Sequence, residues 1–162
     1  MDTPELDVTR HKAGARYLEA LRKLGLEPVA LFWAYDAAVK HFVLVLITEF
    51  FDLKGPYEIS KLLFKAYNAA ATPQEIDPFI VRLHSPAQSA IRSLRMPTHI
   101  RPVDQRTGRP TGTAVEIKTS THGDLTVSPQ WTYKFGRVSK KISVDLRRRW
   151  SRFERNVTDL AA

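Results

Sequence analysis

The chain has 162 residues, of which 43% are hydrophobic and 26% charged, with no cysteine and a net charge of +8. That length and balance suit a folded α+β protein with a real core and exclude a chain disordered throughout. Lack of cysteine excludes disulfides and thiolate metal sites and makes the reducing cytoplasm the expected location. The charge is lopsided: residues 1–81 carry 9 Lys/Arg and 11 Asp/Glu, whereas residues 82–162 carry 16 and 6. A basic half beside a near-neutral half is the footprint expected for a polyanionic partner.

The first residues, MDTPELDVTRHK, are polar and lack the apolar segment of a signal peptide. Residues 10–24 then predict an amphipathic helix with Tyr17, Leu18, Leu21 and Leu24 inward and Gly25 as its stop. Two apolar runs, 29–35 and 41–51, joined by residues 36–40, predict an antiparallel hairpin; a helix over 29–40 is the competing reading. The longest apolar run, 42–47, is too short to cross a bilayer, so no membrane is expected as a partner.

Gly55-Pro56 opens a second helix, with Ile59, Leu62, Leu63, Ala66 and Ala70 as its buried stripe and Lys61, Lys65 and Asn68 outside. Thr72-Pro73-Gln74-Glu75 reads as a capping box for a short turn cut off at Asp77-Pro78, and residues 79–83 as a short strand. Ser85-Pro86-Ala87-Gln88 is a second capping box, starting a helix that runs to about Arg95. Residues 96–112 hold three prolines, two glycines and three arginines, and read as a loop.

Strands over 113–121 and 125–135 follow, joined by His122-Gly123-Asp124; Trp131, Tyr133 and Phe135 alternate along one face, which could stack bases on an exposed sheet but reads as core because the long helix needs a surface to pack on. A long helix over 138–160 ends the chain. The predicted order is α-β-β-α-β-α, a loop, a β-hairpin and a basic C-terminal helix. It divides into a neutral core (1–95), an Arg-rich loop (96–112) and a hairpin-helix unit (113–162) within one compact body.

In the last helix Val138, Ile142, Leu146, Trp150, Phe153, Val157 and Leu160 are spaced by three or four residues and form one apolar stripe. Lys141, Arg148, Arg152 and Arg155 project on roughly the opposite side, interrupted by Asp145 and Asp159. From Leu146 the stripe is heptad-like, which would also suit a homo-oligomer seam, but two heptads favour packing on the core. Together with loop residues Arg101, Arg106 and Arg109, the helix cations are the candidate phosphate contacts of a non-catalytic nucleic-acid-binding protein, DNA or RNA.

Two rival readings stand beside it. Glu116-x-Lys118 puts a carboxylate and a lysine on one face of a strand, which with Asp104 or Asp124 would suit a Mg²⁺-dependent nuclease. Strand alternation alone produces the same pattern, with Val115 and Ile117 inward, so the motif is weak and no catalytic residue is assigned. The other rival is an adaptor or inhibitor that docks the basic helix on an acidic protein surface. The five histidines show no metal-ligand spacing, Ser85 beside His84 is read as a helix cap, and no phosphate-cradling glycine loop occurs. No cofactor is therefore expected outside the nuclease reading.

Overall fold

The computed structural model describes residues 4–88, 120–122, 124–136 and 145–160. Its elements are α1 (Val8–Leu24), β1 (Ala30–Asp36), β2 (His41–Ile47), α2 (Phe50–Lys54), α3 (Pro56–Asn68), β3 (Val81–His84), β4 (Ser120–His122), β5 (Leu125–Phe135) and α4 (Leu146–Leu160). The α+β class and the approximate element order expected from sequence are present. Expectations that fall on residues 89–119 and 137–144, among them the helix after Gln88 and the start of the last helix, lie outside the described residues.

The strands form one sheet in the order β3-β2-β1-β5-β4. β1 pairs antiparallel with β2 and with β5, β4 pairs antiparallel with β5, and β3 joins β2 in parallel. A parallel neighbour requires a crossover connection, which α2 and α3 supply between β2 and β3. Both faces of the central strands are buried, so β2 reads as the unbroken run Phe42-Val43-Leu44-Val45-Leu46-Ile47 instead of alternating. On one face Leu31, Trp33, Phe42, Leu44 and Leu46 join the apolar stripes of α1, α3 and α4 in the main core. On the other, Phe32, Val43, Val45 and Ile47 form a second cluster with Val127.

Local chemistry explains the element ends. Asp7 accepts the Arg10 backbone N–H at 2.7 Å and caps the start of α1. At its far end Gly25 takes φ +100°, and the amides of Gly25 and Leu26 donate to Arg22 and Leu21 carbonyls, closing a Schellman motif. Asp36 folds the hairpin turn by accepting the Ala38 N–H at 2.9 Å, and it also pairs with Arg82 from β3. Burial pushes the Asp36 carboxyl up, but those N–H donors and the guanidinium outweigh it and hold it below the usual range.

Five sequence expectations are corrected here. The second strand ends at Ile47, and Phe50 already belongs to α2. Ala70 is exposed at φ +58°, past the end of α3, and takes no part in the stripe. Thr72 makes no cap: its buried hydroxyl has no hydrogen-bond partner among the described residues, and Gln74 instead donates to the Tyr67 and Thr72 carbonyls. Pro78–Ile80 is a turn of 3₁₀ helix capped by Asp77, so β3 starts only at Val81 and Phe79 is 84% exposed. Phe135 leaves the row of Trp131 and Tyr133, because the β1–β5 register shifts between Leu31 and Phe32 and turns it onto Phe32 on the opposite face.

Tyr133 shows how tightly the sheet meets α1. Its hydroxyl accepts from Trp33 Nε1 at 3.1 Å and donates to the His11 carbonyl at 2.5 Å, and the ring lies over Gly14. A β-carbon at Gly14 would come within 2.2–2.4 Å of that ring, so this helix position needs glycine for close approach. We expect Gly14→Ala to destabilise by about 1–2 kcal/mol in urea unfolding, since overpacking of ~1–3 kcal/mol exceeds the ~1 kcal/mol gained in helix propensity. In a Tyr133→Ala background the same substitution should turn neutral or stabilising; stabilisation in the wild-type background would refute the wedge.

Candidate nucleic-acid interface

The last helix is positioned by its apolar stripe. Leu146, Trp150, Phe153 and Val157 are buried in the main core, with Phe153 fully so. Phe50 meets Trp150 edge-on at 5.2 Å and stacks on Phe153 at 5.8 Å, and Trp150 and Phe153 touch each other at 5.7 Å. Asn156 Nδ2 donates to the Leu24 carbonyl at 2.8 Å, and the Phe153 backbone passes 3.6 Å from where a β-carbon at Gly25 would sit. Gly25 therefore serves both the turn and the helix contact. Leu160, expected in the stripe, is 42% exposed in the last turn.

With the stripe seated, the 100° step of the helix decides where the cations go. Arg148, Arg152 and Arg155 share the outward face and are exposed, as the sequence pattern required. Arg152, Arg155 and the flanking Arg147 form no ion pair with another described residue, and Arg148 is held loosely by Asp145 at 3.9 Å. Asp145 and Asp159 stand on the same face at its two ends, leaving the three arginines as a row about 10 Å long. Lys141, Arg101, Arg106 and Arg109 lie outside the described residues.

Part of the charge asymmetry is used internally, which sequence counting could not show. Arg82 pairs with Asp36 at 2.5 Å, Arg149 with Glu49 at 3.0 Å, and Lys134 with Glu27. In each pair a cation of the basic half meets an acid of the other half. These contacts knit β3, α4 and β5 to the N-terminal elements. Among the described residues of the basic half, the cations left without a carboxylate closer than 3.9 Å are Arg147, Arg148, Arg152 and Arg155 of α4.

The rival sites fare differently. Glu116, Lys118 and Asp104 lie outside the described residues; Asp124 is exposed beside β5, with its carbonyl accepting from Ala37 N–H at 2.8 Å. Among the described residues no three His, Asp or Glu side chains gather as a metal site would require. Ser85 and Gln88 close a turn: the Ser85 Oγ accepts the Ala87 N–H at 3.0 Å, and the Ser85 N–H donates to Gln88 Oε1 at 3.0 Å, while the helix expected to follow lies mostly outside the described residues. The hydroxyl proton goes to Asp52, 2.7 and 2.8 Å from the two carboxylate oxygens, while His84 Nδ1 pairs with Gln88. Serine and histidine are thus committed elsewhere and do not form a nucleophile–base pair. A shallow groove of about 730 Å³ between α1 and residues 70–75 has the Arg16–Glu75 ion pair, 2.7 Å, on its wall.

Compared with protein-family models, with curated proteins and with solved structures, the chain matches none. Among the described residues, no helix is long and apolar enough to cross a membrane.

The helix should separate stability from surface chemistry. Phe153→Ala is expected to cost about 3–5 kcal/mol, whereas Arg152→Ala or Arg155→Ala should stay within about 0.5 kcal/mol of wild type in denaturant unfolding. A large stability loss for either arginine variant would mean that its side chain is engaged within the fold.

Proposed function

We propose that the protein binds nucleic acid without catalysis, through phosphate contacts made by the outward arginines of α4. The observation that carries this reading is the pairing pattern of the basic half. Arg149, flanking the stripe, is spent on Glu49, while Arg152 and Arg155, farther round the helix, meet no carboxylate among the described residues. Guanidinium groups present a donor fork that suits phosphate oxygens. A row about 10 Å long can address some three phosphates, given a spacing of ~3.4 Å along one strand of duplex. Lys141 and the arginines at 101, 106 and 109 extend the same role in this proposal.

Nothing in α4 offers a base-reading signature, so recognition would rest on the backbone and on shape. Docking on an acidic protein surface would use the same arginines, and the flanking Asp145 and Asp159 suit such a surface equally. Counterion release separates the two. The three α4 contacts alone imply a log–log salt slope of about −2 for a single strand and about −2.7 for duplex, or a roughly 20- to 40-fold loss of affinity between ~50 and ~200 mM salt, and each further contact from Lys141, Arg101, Arg106 or Arg109 steepens it by ~0.7–0.9. Arg152→Ala/Arg155→Ala should flatten that slope by about 1.4–1.8. An affinity indifferent to salt, or a slope unchanged in the double variant, would exclude this phosphate interface.

A further inference from the structure

The outer face of α3 carries a feature that the arginine row does not explain. Tyr57, Lys61 and Phe64 follow each other at i, i+4 and i+7, on the side away from the buried stripe of Ile59, Leu62, Leu63 and Ala66. Phe79, in the turn before β3, meets Phe64 edge-on at 4.9 Å and extends the row. Tyr57 is 73% exposed and Phe79 84% exposed. Lys61 Nζ sits 5.4 Å from the Tyr57 ring centroid, on one side of the ring.

Three carboxylates and three lysines stand on the same elements. Glu58 pairs with Lys61 at 3.3 Å, Asp77 accepts the Phe79 N–H at 2.9 Å, and Asp52 accepts the Ser85 hydroxyl. Lys54 and Lys65 are exposed and form no ion pair with another described residue. Asp52 and Asp77 keep their charge while accepting from neutral donors, so the three lysines and three acids of this region balance, and the bare aromatic rings, not a local surplus of charge, distinguish it.

α3 and α4 bury their stripes in the same core cluster on the same side of the sheet. The two helices also pack against each other, so the cations of one and the rings plus lysines of the other stand on adjacent helices. We infer that Tyr57 and Phe79 form a stacking platform for unpaired bases, making single-stranded nucleic acid the ligand class of the α4 interface. This rests on the phosphate-binding reading of α4 and adds the choice of strand state. Single-strand binders combine a basic track with aromatic rings whose faces accept any base.

A second copy of the chain is a poorer fit for the patch. Aromatic side chains bury about 150–250 Å² each when fully covered. Two exposed rings and part of a third thus fall short of the ~800 Å² per partner that a stable protein interface needs. A base needs only one ring face.

The test uses the full chain, a labelled single-stranded oligonucleotide of about 12 nucleotides, which is within the usual site size, and a duplex of the same length, by fluorescence anisotropy at several salt concentrations. Phe79→Ala and Tyr57→Ala should each weaken single-strand binding about fivefold or more. Each should leave the salt slope and the duplex affinity unchanged, and Tyr57→Phe should bind like wild type. A 5-iododeoxyuridine oligonucleotide should photocrosslink to Tyr57 or Phe79. Duplex binding that depends on Arg152 and Arg155, with single-strand affinity indifferent to both alanine variants, would overturn the platform and leave the phosphate reading standing. Absence of binding to either oligonucleotide would overturn both. A wild-type dimer in sedimentation that Phe79→Ala dissolves, with oligonucleotide affinity unaffected, would assign the patch to self-association and overturn the platform.

Discussion

The seating of Trp150 and Phe153 against Phe50 is the contact on which the rest depends. It ties the last helix to the segment just after β2, and Asn156 ties the same helix to the end of α1. Once those rings are in place the helix cannot rotate, and the residues four and seven positions from Arg148 must face out with it. Packing therefore sets the electrostatics. The stripe is worth several kcal/mol through burial, and close aromatic pairs add roughly 0.5–1.5 kcal/mol each. The arginines add little to stability and derive their direction from it.

A second constraint is how the excess positive charge is divided. A net of +10 in residues 82–162 against −2 in residues 1–81 suggests one field aimed at one partner. In the folded protein the Arg82–Asp36, Arg149–Glu49 and Lys134–Glu27 pairs use part of that excess to join the two halves. Asp36 is the most buried of these acids, and a buried carboxylate needs such a partner. Among the described residues, the surplus that faces solvent is concentrated in a short row on α4.

Much of the fold was legible because it rests on periodicity. The helix over Val8–Leu24, its stop at Gly25, the β1–β2 hairpin and the buried stripe of α3 follow from 3.6-residue and strand patterns. The outward placement of Arg148, Arg152 and Arg155 was legible for the same reason. What was hidden depends on contacts distant in sequence. Phe135 reads as one more member of an alternating row until a register shift turns it to the other face. Thr72 offers a capping sequence and the expected turn follows, with Ile76 N–H donating to the Pro73 carbonyl, yet the Thr72 hydroxyl is turned inward and caps nothing among the described residues. Phe79 reads as a strand residue, and only the 3₁₀ turn set by Asp77 and Pro78 leaves it bare. A local signal for the aromatic row did exist: Tyr57 and Phe64 sit seven apart on the polar side of α3, where aromatic residues are unexpected.

Backbone amide shifts, followed by NMR during titration with a single-stranded oligonucleotide, test the central claim most directly. Salt-sensitive changes should cluster at Arg148, Arg152 and Arg155, with the neighbouring α3 face including Tyr57 responding in the same titration. Changes confined to the groove between α1 and residues 70–75, or a spectrum that does not move at low salt, would contradict the account.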